Sequence, residues 1–352
     1  MAKKITVLIV DDSALIRQMF SEILSSEPDI EVVDTASDPF DAREKIKLLN
    51  PDVLTLDIEM PRMDGLSFLE KIMALRPMPV VMVSTLAQKG ADATIRALEL
   101  GAFDYVAKPV SNHTRDTIGE LKDDLVAKVR AAAQANITSR NVTRSASATP
   151  SIIPFNPSHG KNKHIIAIGA STGGVEALRD FLVRLPANCP PIVITQHMPE
   201  SFTKSFAARL NNVSEITVVE AANHDRLRDG HAYIAPGGSR HLKIVKLAGE
   251  YVCKLEEGAT VSSHRPSVDV LFHSVAEAVG AKAVGVILTG MGKDGAEGMK
   301  AMRDKGAYNI GQNQASCVVY GMPQVAHKLG ATHVELPLSE IAAAVLNFCQ
   351  KA

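Results

Sequence analysis

The chain has 352 residues, a formal net charge of −1 and an apolar content of 46%. This length predicts roughly two domains, and the near-neutral charge lacks the basic character expected of a nucleic-acid-binding protein. No apolar run approaches the roughly 20 residues of a membrane span, and no signal-peptide core precedes the first strand. The four cysteines are scattered and show no metal-ligand spacing. We therefore expect a cytoplasmic protein without membrane insertion.

The first third of the chain alternates predicted strands with helical stretches. The apolar runs that predict strands are 4–10, 30–35, 52–57, 79–84 and 103–107. Such alternation predicts an α/β domain with a doubly wound, five-stranded parallel sheet of the flavodoxin-like kind. Helical periodicity over residues 114–135 predicts the helix that closes this domain.

Polar residues follow these strands, at the edge where open parallel sheets bind ligands. They are Asp11 and Asp12 after the first strand, Asp57 at the end of the third, Ser84 at the end of the fourth and Lys108 after the fifth. Three carboxylates brought together repel one another unless a hard divalent cation lies among them. All-oxygen ligands suit Mg²⁺, so the pattern predicts a magnesium site.

This pattern resembles a response-regulator receiver domain. The resemblance implies that Asp57 is the phosphoacceptor. It also implies that Mg²⁺ is held by Asp11, Asp12, Asp57 and the backbone carbonyl of Glu59. The chemistry is sound by itself, because a carboxylate attacks a phosphoryl donor when a metal and a lysine neutralise the charge.

The same resemblance implies three roles around the phosphate. Lys108 would contact the phosphoryl oxygens, Ser84 would move to bond the new phosphate, and Tyr105 would follow that movement. For Tyr105 a half-buried strand tyrosine without a switching role is an equally good interpretation of the sequence.

Residues 136–163 lack an apolar period and are rich in Ser, Thr and Pro, which predicts a flexible linker. The expected divisions are therefore 1–135, 136–163 and 164–352. Further strands are predicted at 164–169, 191–196, 215–219, 231–235, 283–289, 307–311 and 332–336. With the helical stretches between them they predict a second doubly wound, mainly parallel α/β domain, and the runs 242–247 and 251–255 predict an inserted β-hairpin.

A serine lies in a small-residue turn after the first strand of this second domain. The run Gly169-Ala170-Ser171-Thr172-Gly173-Gly174 contains G-x-S-x-G, which projects a serine oxygen above a sheet, in front of the free N–H groups of a helix N-terminus. A phosphate-binding glycine-rich loop is the alternative, but it requires an acidic residue after the next strand. That strand ends in His197 instead, which favours a Ser171 nucleophile with a histidine base.

A triad also needs a carboxylate that fixes the histidine tautomer. Asp294 follows the predicted strand 283–289 in a glycine-rich turn before a helix. A helix N-cap is the alternative role for an aspartate at this position. The residues alone leave both interpretations open.

Four motifs closely resemble the chemotaxis protein-glutamate methylesterase (CheB) family. They are the run 169–174, Gln196-His197-Met198-Pro199, His264-Arg265-Pro266-Ser267-Val268-Asp269 and Thr289-Gly290-Met291-Gly292-Lys293-Asp294-Gly295. With the receiver and linker, the resemblance covers nearly the whole chain. It implies Ser171 as nucleophile, His197 as base and Asp294 as orienting carboxylate, with the backbone N–H groups of Thr172 and Met291 as oxyanion donors.

The resemblance implies a phosphorylation-activated hydrolase that demethylates glutamate γ-methyl esters, releasing methanol, and deamidates certain glutamines. Its implied partners are methyl-accepting chemotaxis receptors as substrates and a histidine kinase as phosphodonor, with no cofactor in the catalytic domain. The role of the stretch 264–269 stays open: either Arg265 binds receptor carboxylates, or Asp269 caps a helix over 270–279. The rival function is a response regulator whose output domain binds DNA or protein without catalysis, but residues 164–352 show neither a helix-turn-helix nor a basic face.

Overall fold

The computed structural model describes residues 3–85, 87–109, 115–135, 151–156 and 164–351. The chain forms two compact units, Met1–Ser145 and Ala146–Ala352. Apart from residues 151–156, the predicted linker 136–163 lies outside the described residues, so its bounds stay a prediction. In the described part of the chain, no helix is both long enough and apolar enough to cross a membrane.

The first unit alternates strands and helices as predicted. Its strands are β1 (Ile5–Val10), β2 (Ile30–Ala36), β3 (Val53–Asp57), β4 (Val80–Ser84) and β5 (Asp104–Ala107), and its helices are α1 (Ala14–Ser25), α2 (Pro39–Leu49), α3 (Gly65–Leu75), α4 (Gln88–Glu99) and α5 (Arg115–Gln134). The strands form one parallel sheet in the order β2-β1-β3-β4-β5. This is the flavodoxin-like order, so the predicted fold of the first domain is confirmed.

The strand order reverses between β1 and β3, which opens a crevice at their carboxyl ends. Strands β3 and β4 are buried along their whole length, as expected for a sheet covered by helices on both faces. Helix α3 begins directly against β3: a Cβ atom on Gly65 would lie 2.0 Å from the backbone oxygen of Asp57. Only glycine permits this approach, which holds the backbone of Asp57 at the crevice.

The second unit contains the remaining elements. They are β6 (Ile165–Ala170), α6 (Gly174–Leu182), β7 (Ile192–Gln196), α7 (Glu200–Val213), β8 (Thr217–Glu220), β9 (His231–Ile234), β10 (Arg240–Leu247), β11 (Glu250–Glu257), α8 (Val268–Ala278), β12 (Ala283–Ile287), α9 (Ala296–Asp304), β13 (Tyr308–Gln312), α10 (Met322–Lys328), β14 (Val334–Leu336) and α11 (Leu338–Lys351).

Seven of these strands form a parallel sheet in the order β14-β13-β12-β6-β7-β9-β8. Strands β10 and β11 pair antiparallel in a separate two-stranded sheet. The predicted second α/β domain with an inserted hairpin is therefore confirmed.

The centre of the large sheet is its most buried part. Strands β6, β7 and β12 are buried at every residue, and the apolar face of α8 packs into the same core through Leu271, Phe272 and Val275. A Cβ atom on Gly169 would lie 2.2 Å from Cγ1 of Val268. This close approach places the first turn of α8 directly over the carboxyl end of β6.

Candidate functional site

Ser171 and His197 follow two neighbouring strands at the carboxyl edge of the large sheet. Ala170 of β6 pairs in register with Gln196 of β7, and the His197 N–H donates to the Ala170 carbonyl at 3.2 Å. The two residues therefore leave adjacent strands, whose spacing is about 4.8 Å. The Ser171 N–H donates to the carbonyl of Thr289 at 3.1 Å, which ties the serine turn to the chain after β12.

The carboxylate of Asp294 joins this edge. Its Oδ2 lies 2.7 Å from Nε2 of His197 and accepts the Val268 N–H at 2.7 Å. Its Oδ1 accepts the Ser267 hydroxyl at 2.7 Å and the Asp269 N–H at 3.0 Å. The two N–H groups belong to the first turn of α8, where the helix dipole also favours a negative charge.

These contacts keep Asp294 ionised. Burial raises the pKa of Asp294, but the hydrogen bond and charge of His197, together with the other donors, outweigh burial and hold this pKa below its ordinary value. An ionised carboxylate only accepts, so in the neutral form of the His197 ring the proton is on Nε2 and the lone pair is on Nδ1. Nδ1 is buried and has no hydrogen-bond partner within the described residues, which leaves it available as a base.

The alternative role of Asp294, an N-cap of the helix that follows it, is not what the structure shows. The N-cap of α9 is Gly295, with a φ of 90° and without a side-chain cap. Asp294 instead accepts N–H groups from the first turn of α8. The same carboxylate therefore binds the N-terminus of α8 and contacts His197.

His264 stacks on His197 with ring centroids 3.6 Å apart and an interplanar angle of 9°. A tight turn presents it: Ser262 and Ser263 have φ values of 51° and 64°, which non-glycine residues rarely adopt. Nδ1 of His264 lies 2.6 Å from the Ser262 carbonyl. The His197 ring is therefore held at one edge by Asp294 and at one face by His264, a contact that the sequence motif contained but did not reveal.

His197, His264 and Asp294 offer ligand atoms within 4.8 Å of one another, which raises the question of a metal. The two rings are 9° from parallel with centroids 3.6 Å apart, so the lone pairs of their nitrogens lie in nearly parallel planes. An imidazole nitrogen binds zinc along its lone pair, at about 2.1 Å, and an ion beside two stacked rings cannot lie in both ring planes. The stacked geometry does not fit a shared metal ion.

The backbone segments that carry the predicted oxyanion donors both lie near Ser171. Thr172 follows it directly and is buried, and its carbonyl accepts the Thr289 hydroxyl at 3.0 Å. Met291 follows Gly290, at which a Cβ atom would lie 2.9 Å from Cβ of Ser171. The structure thus places both backbone segments beside the serine.

The stretch 264–269 divides between several contacts. The Arg265 guanidinium donates to the carbonyls of Gly238 at 2.8 Å and Gly258 at 2.6 Å. Ser267 is the N-cap of α8, so the interpretation of Asp269 as that cap is wrong. The Asp269 carboxylate accepts the N–H of Gly298 at 2.8 Å, in the first turn of α9. A receptor contact of Arg265 stays a prediction.

The first unit carries its own polar cluster. Lys108 Nζ lies 2.7 Å from Oδ2 of Asp57 and 3.0 Å from Oδ2 of Asp11. Carboxylate oxygens of Asp11, Asp12 and Asp57 lie within 4.8 Å of one another, a hard donor set that fits Mg²⁺. Burial raises the pKa of Asp57 to about 6, opposed by the Lys108 hydrogen bond and assisted by the charge of Asp11. The Glu59 N–H donates to Asp57 at 3.2 Å, which places this loop beside the carboxylate.

Ser84 and Tyr105, the predicted switch residues, are both buried. The Ser84 hydroxyl accepts a hydrogen bond from the Thr94 hydroxyl at 2.7 Å. Lys128 Nζ donates to the Tyr105 carbonyl at 2.6 Å and lies 5.1 Å from the centroid of its ring. The tyrosine is thus buried rather than half-buried, and its movement on phosphorylation stays a prediction.

Known proteins resemble both units. The CheB methylesterase family model matches residues 166–345, and the response regulator receiver domain model matches residues 7–117. A protein-glutamate methylesterase/protein-glutamine glutaminase of Nitrosomonas europaea is 54% identical over 98% of this chain and 96% of its own length. A relative of the same name from Caulobacter vibrioides is 55% identical over 98% of both chains.

One solved structure supports the same assignment. The Thermotoga maritima CheB methylesterase catalytic domain is 39% identical, has a TM-score of 0.51, and covers 53% of this chain and 98% of its own. Fold and comparisons together define a response regulator whose output domain is a hydrolase. The chain belongs to the CheB methylesterase family. The predicted family is confirmed, and the rival function of a non-catalytic output domain is wrong.

Asp294→Asn is expected to destabilise the second unit, because an amide nitrogen cannot accept the N–H bonds from α8. We expect a loss of about 2 kcal/mol or more in the free energy of unfolding at neutral pH. Folding lowers the pKa of Asp294, so this stabilisation is present above about pH 4, the ordinary aspartate pKa, and is lost as the pH falls below it. Thermal unfolding from neutral to acid pH measures the difference, which should shrink toward acid.

The matched control is Asp304→Asn, at the exposed end of α9, where the carboxylate pairs with Lys300 on the surface. It should change the stability by less than about 0.5 kcal/mol. Equal unfolding midpoints of Asp294→Asn and the unmodified protein at neutral pH would contradict the role assigned to the carboxylate.

Proposed function

We propose that this chain is a phosphorylation-activated enzyme that demethylates glutamate γ-methyl esters and deamidates glutamines of methyl-accepting chemotaxis receptors. The observation that carries the proposal is the 2.7 Å contact between His197 Nε2 and the Asp294 carboxylate, beside Ser171 on the adjacent strand. The names of the relatives from N. europaea and C. vibrioides supply the substrate class.

In the first step the Ser171 oxygen attacks the γ-acyl carbon of the methyl ester. Nδ1 of His197 takes the hydroxyl proton, and Asp294 stabilises the imidazolium that forms. The carbonyl oxygen becomes an oxyanion, to which the N–H groups of Thr172 and Met291 donate. Such donors act most strongly in the transition state, where the charge develops.

The ester C–O bond then breaks, and His197 returns its proton to the leaving oxygen, which departs as methanol. Ser171 is left as a glutamyl ester. A water molecule attacks this ester with His197 as base, which releases the glutamate carboxylate and restores the serine. A glutamine side chain presents the same γ-acyl carbon with an amide nitrogen as leaving group, so the same steps release ammonia.

Ser171→Ala should reduce methanol release from methylated receptor membranes by a factor on the order of 10³ or more, because the nucleophile is lost. Adding His197→Ala to this variant should cost little further, since residues that act as one unit are strongly non-additive. Ser214→Ala is the control: the Ser214 hydroxyl is buried without a hydrogen-bond partner in the described residues, so its loss should leave the rate unchanged.

Methanol release at the unmodified rate from a folded Ser171→Ala protein would refute the nucleophile. An additive further loss from His197→Ala would instead separate the histidine from the serine and contradict the triad.

The receiver unit supplies the regulation in this proposal. Asp57 takes a phosphoryl group from a histidine kinase, with Lys108 against the phosphoryl oxygens. Asp11, Asp12, Asp57 and the backbone carbonyl of Glu59 would hold Mg²⁺, which neutralises charge on the transferring group. The phosphate adds negative charge and acceptor oxygens, toward which Ser84 moves, followed by Tyr105.

We expect the unphosphorylated receiver to inhibit the esterase. Both units carry their reactive residues at the carboxyl ends of parallel strands, and both belong to one chain. A tethered domain has a high effective concentration, so a weak interaction is sufficient to occlude a site. A few kcal/mol of difference between closed and open states then regulates the activity.

Acetyl phosphate with Mg²⁺ should label the full chain and raise its methanol release. Asp57→Asn should abolish both effects, whereas Asp123→Asn, at an exposed position of α5, should label normally. A fragment of residues 151–352 should be faster than the unphosphorylated full chain and indifferent to the phosphodonor.

Persistent labelling of the Asp57→Asn protein would show that the phosphorylation site is a residue other than Asp57. A fragment no faster than the unphosphorylated chain would exclude occlusion, and the receiver would then act by stimulating catalysis or by recruiting the enzyme to its receptor.

A further inference from the structure

We infer that Gln196 is a positioning residue that orients the oxyanion-donating peptide group between Ser171 and Thr172. The inference rests on the proposed function, because it concerns how the same serine site holds one of its donors. Gln196 is the last residue of β7 and is 4% exposed. Its side chain lies between the backbones that carry the nucleophile and the base.

The Gln196 amide joins these two backbones. Its Nε2 donates to the carbonyl of Ser171 at 3.0 Å and to the carbonyl of His197 at 3.3 Å. Two carbonyl oxygens around one amide atom identify that atom as the nitrogen, since an oxygen there would meet only acceptors. The Ser171 carbonyl also accepts the Gly174 N–H at 2.7 Å, at the start of α6.

The direction of this carbonyl sets the direction of the donor. The C=O of Ser171 and the N–H of Thr172 belong to one peptide group, which is planar and trans, so they point in opposite directions. With the carbonyl held toward Gln196 and α6, the Thr172 N–H is turned to the other side. If this peptide flipped, it would present a carbonyl oxygen to the oxyanion in place of a donor.

Thr289 holds the peptide groups on either side. Its carbonyl accepts the Ser171 N–H at 3.1 Å, and its hydroxyl donates to the Thr172 carbonyl at 3.0 Å. Three successive peptide groups are thus bonded in place. The middle peptide group is the one between Ser171 and Thr172. Among the described residues, the Gln196 amide is the only side-chain donor to the carbonyl of this group.

The presence of an amide side chain at position 196, although one of its atoms is unpaired, supports a role for the Nε2 donor. The Gln196 Oε1 is buried and makes no hydrogen bond within the described residues, an arrangement that destabilises a fold. A Cβ atom on Gly174 would lie 2.1 Å from this oxygen, so the amide packs tightly against the first turn of α6. An apolar side chain of this shape would fill the site without an unpaired oxygen, and it would lack the donated bonds.

Gln196→Met tests the inference, because methionine keeps the length and removes the donor. We expect kcat for methanol release to fall about 10-fold to 100-fold, with KM unchanged, since the oxyanion exists only beyond the ground state. This is less than the roughly 10²–10³-fold loss on removing a donor, because the Gly174 N–H still holds the carbonyl. The rate of phosphonylation by a fluorophosphonate should fall by a similar factor.

Asn309→Leu is the matched control. Asn309 is buried, its Nδ2 donates to the carbonyls of Met299 at 2.7 Å and Ala331 at 2.9 Å, and its Oδ1 is unpaired within the described residues. Asn309, in β13, thus repeats the hydrogen-bond pattern of Gln196, but its acceptors Met299 and Ala331 do not belong to the serine site, so its replacement should leave kcat unchanged. An equal loss of kcat in both variants would show a purely structural role and overturn the inference.

A second variant covers the case in which Gln196→Met fails to fold. Gly174→Ala leaves Gln196 in the chain but places a methyl group where its amide oxygen lies, and kcat should again fall with KM unchanged. Full kcat in a folded Gln196→Met or Gly174→Ala protein, with Ser171→Ala inactive, would overturn the inference and leave the proposed function intact. An active Ser171→Ala protein would refute the proposed function itself.

Discussion

The second unit depends on one buried carboxylate at the start of a helix. Asp294 accepts two N–H groups from the first turn of α8 and the Ser267 hydroxyl, and it contacts His197 at 2.7 Å. The helix stabilises the charge, and the charge in turn fixes the tautomer of the histidine. The close approach of Val268 to Gly169 places this helix turn over β6, the strand that precedes Ser171. Stability and chemistry therefore share the same contacts.

The two units treat a buried aspartate in opposite ways. Asp294 lies among hydrogen-bond donors, and its pKa is lowered. Asp57 is buried beside a second carboxylate with one lysine between them, and its pKa is raised to about 6. The first arrangement suits a carboxylate that stays charged and orients a base. The second suits a nucleophile that reacts when a divalent cation relieves the crowding of negative charge.

Both sheets and the positions of their polar strand ends followed from the sequence, because buried parallel strands are continuous apolar runs with a polar residue at the end. The stacking of His264 on His197 and the hydrogen bond from the Gly298 N–H of α9 to the Asp269 carboxylate did not follow from the sequence. Both contacts depend on how α8 and the preceding turn pack onto the sheet, which no local periodicity encodes. The same limit applied to Asp294. Its position before α9 suggested an N-cap of that helix, but its carboxylate accepts N–H groups of α8.

Fluorophosphonate labelling of the full chain, followed by tryptic digestion and mass spectrometry, identifies the nucleophile directly. Cleavage after Lys163 and Arg179 gives the peptide 164–179, in which Ser171 is the only serine. A serine activated by His197 and Asp294 predicts one modified peptide, labelled at Ser171, and no labelling in a folded His197→Ala protein. A label on a different residue, or undiminished labelling of the His197→Ala protein, would contradict a catalytic Ser171 that is activated by His197 and Asp294.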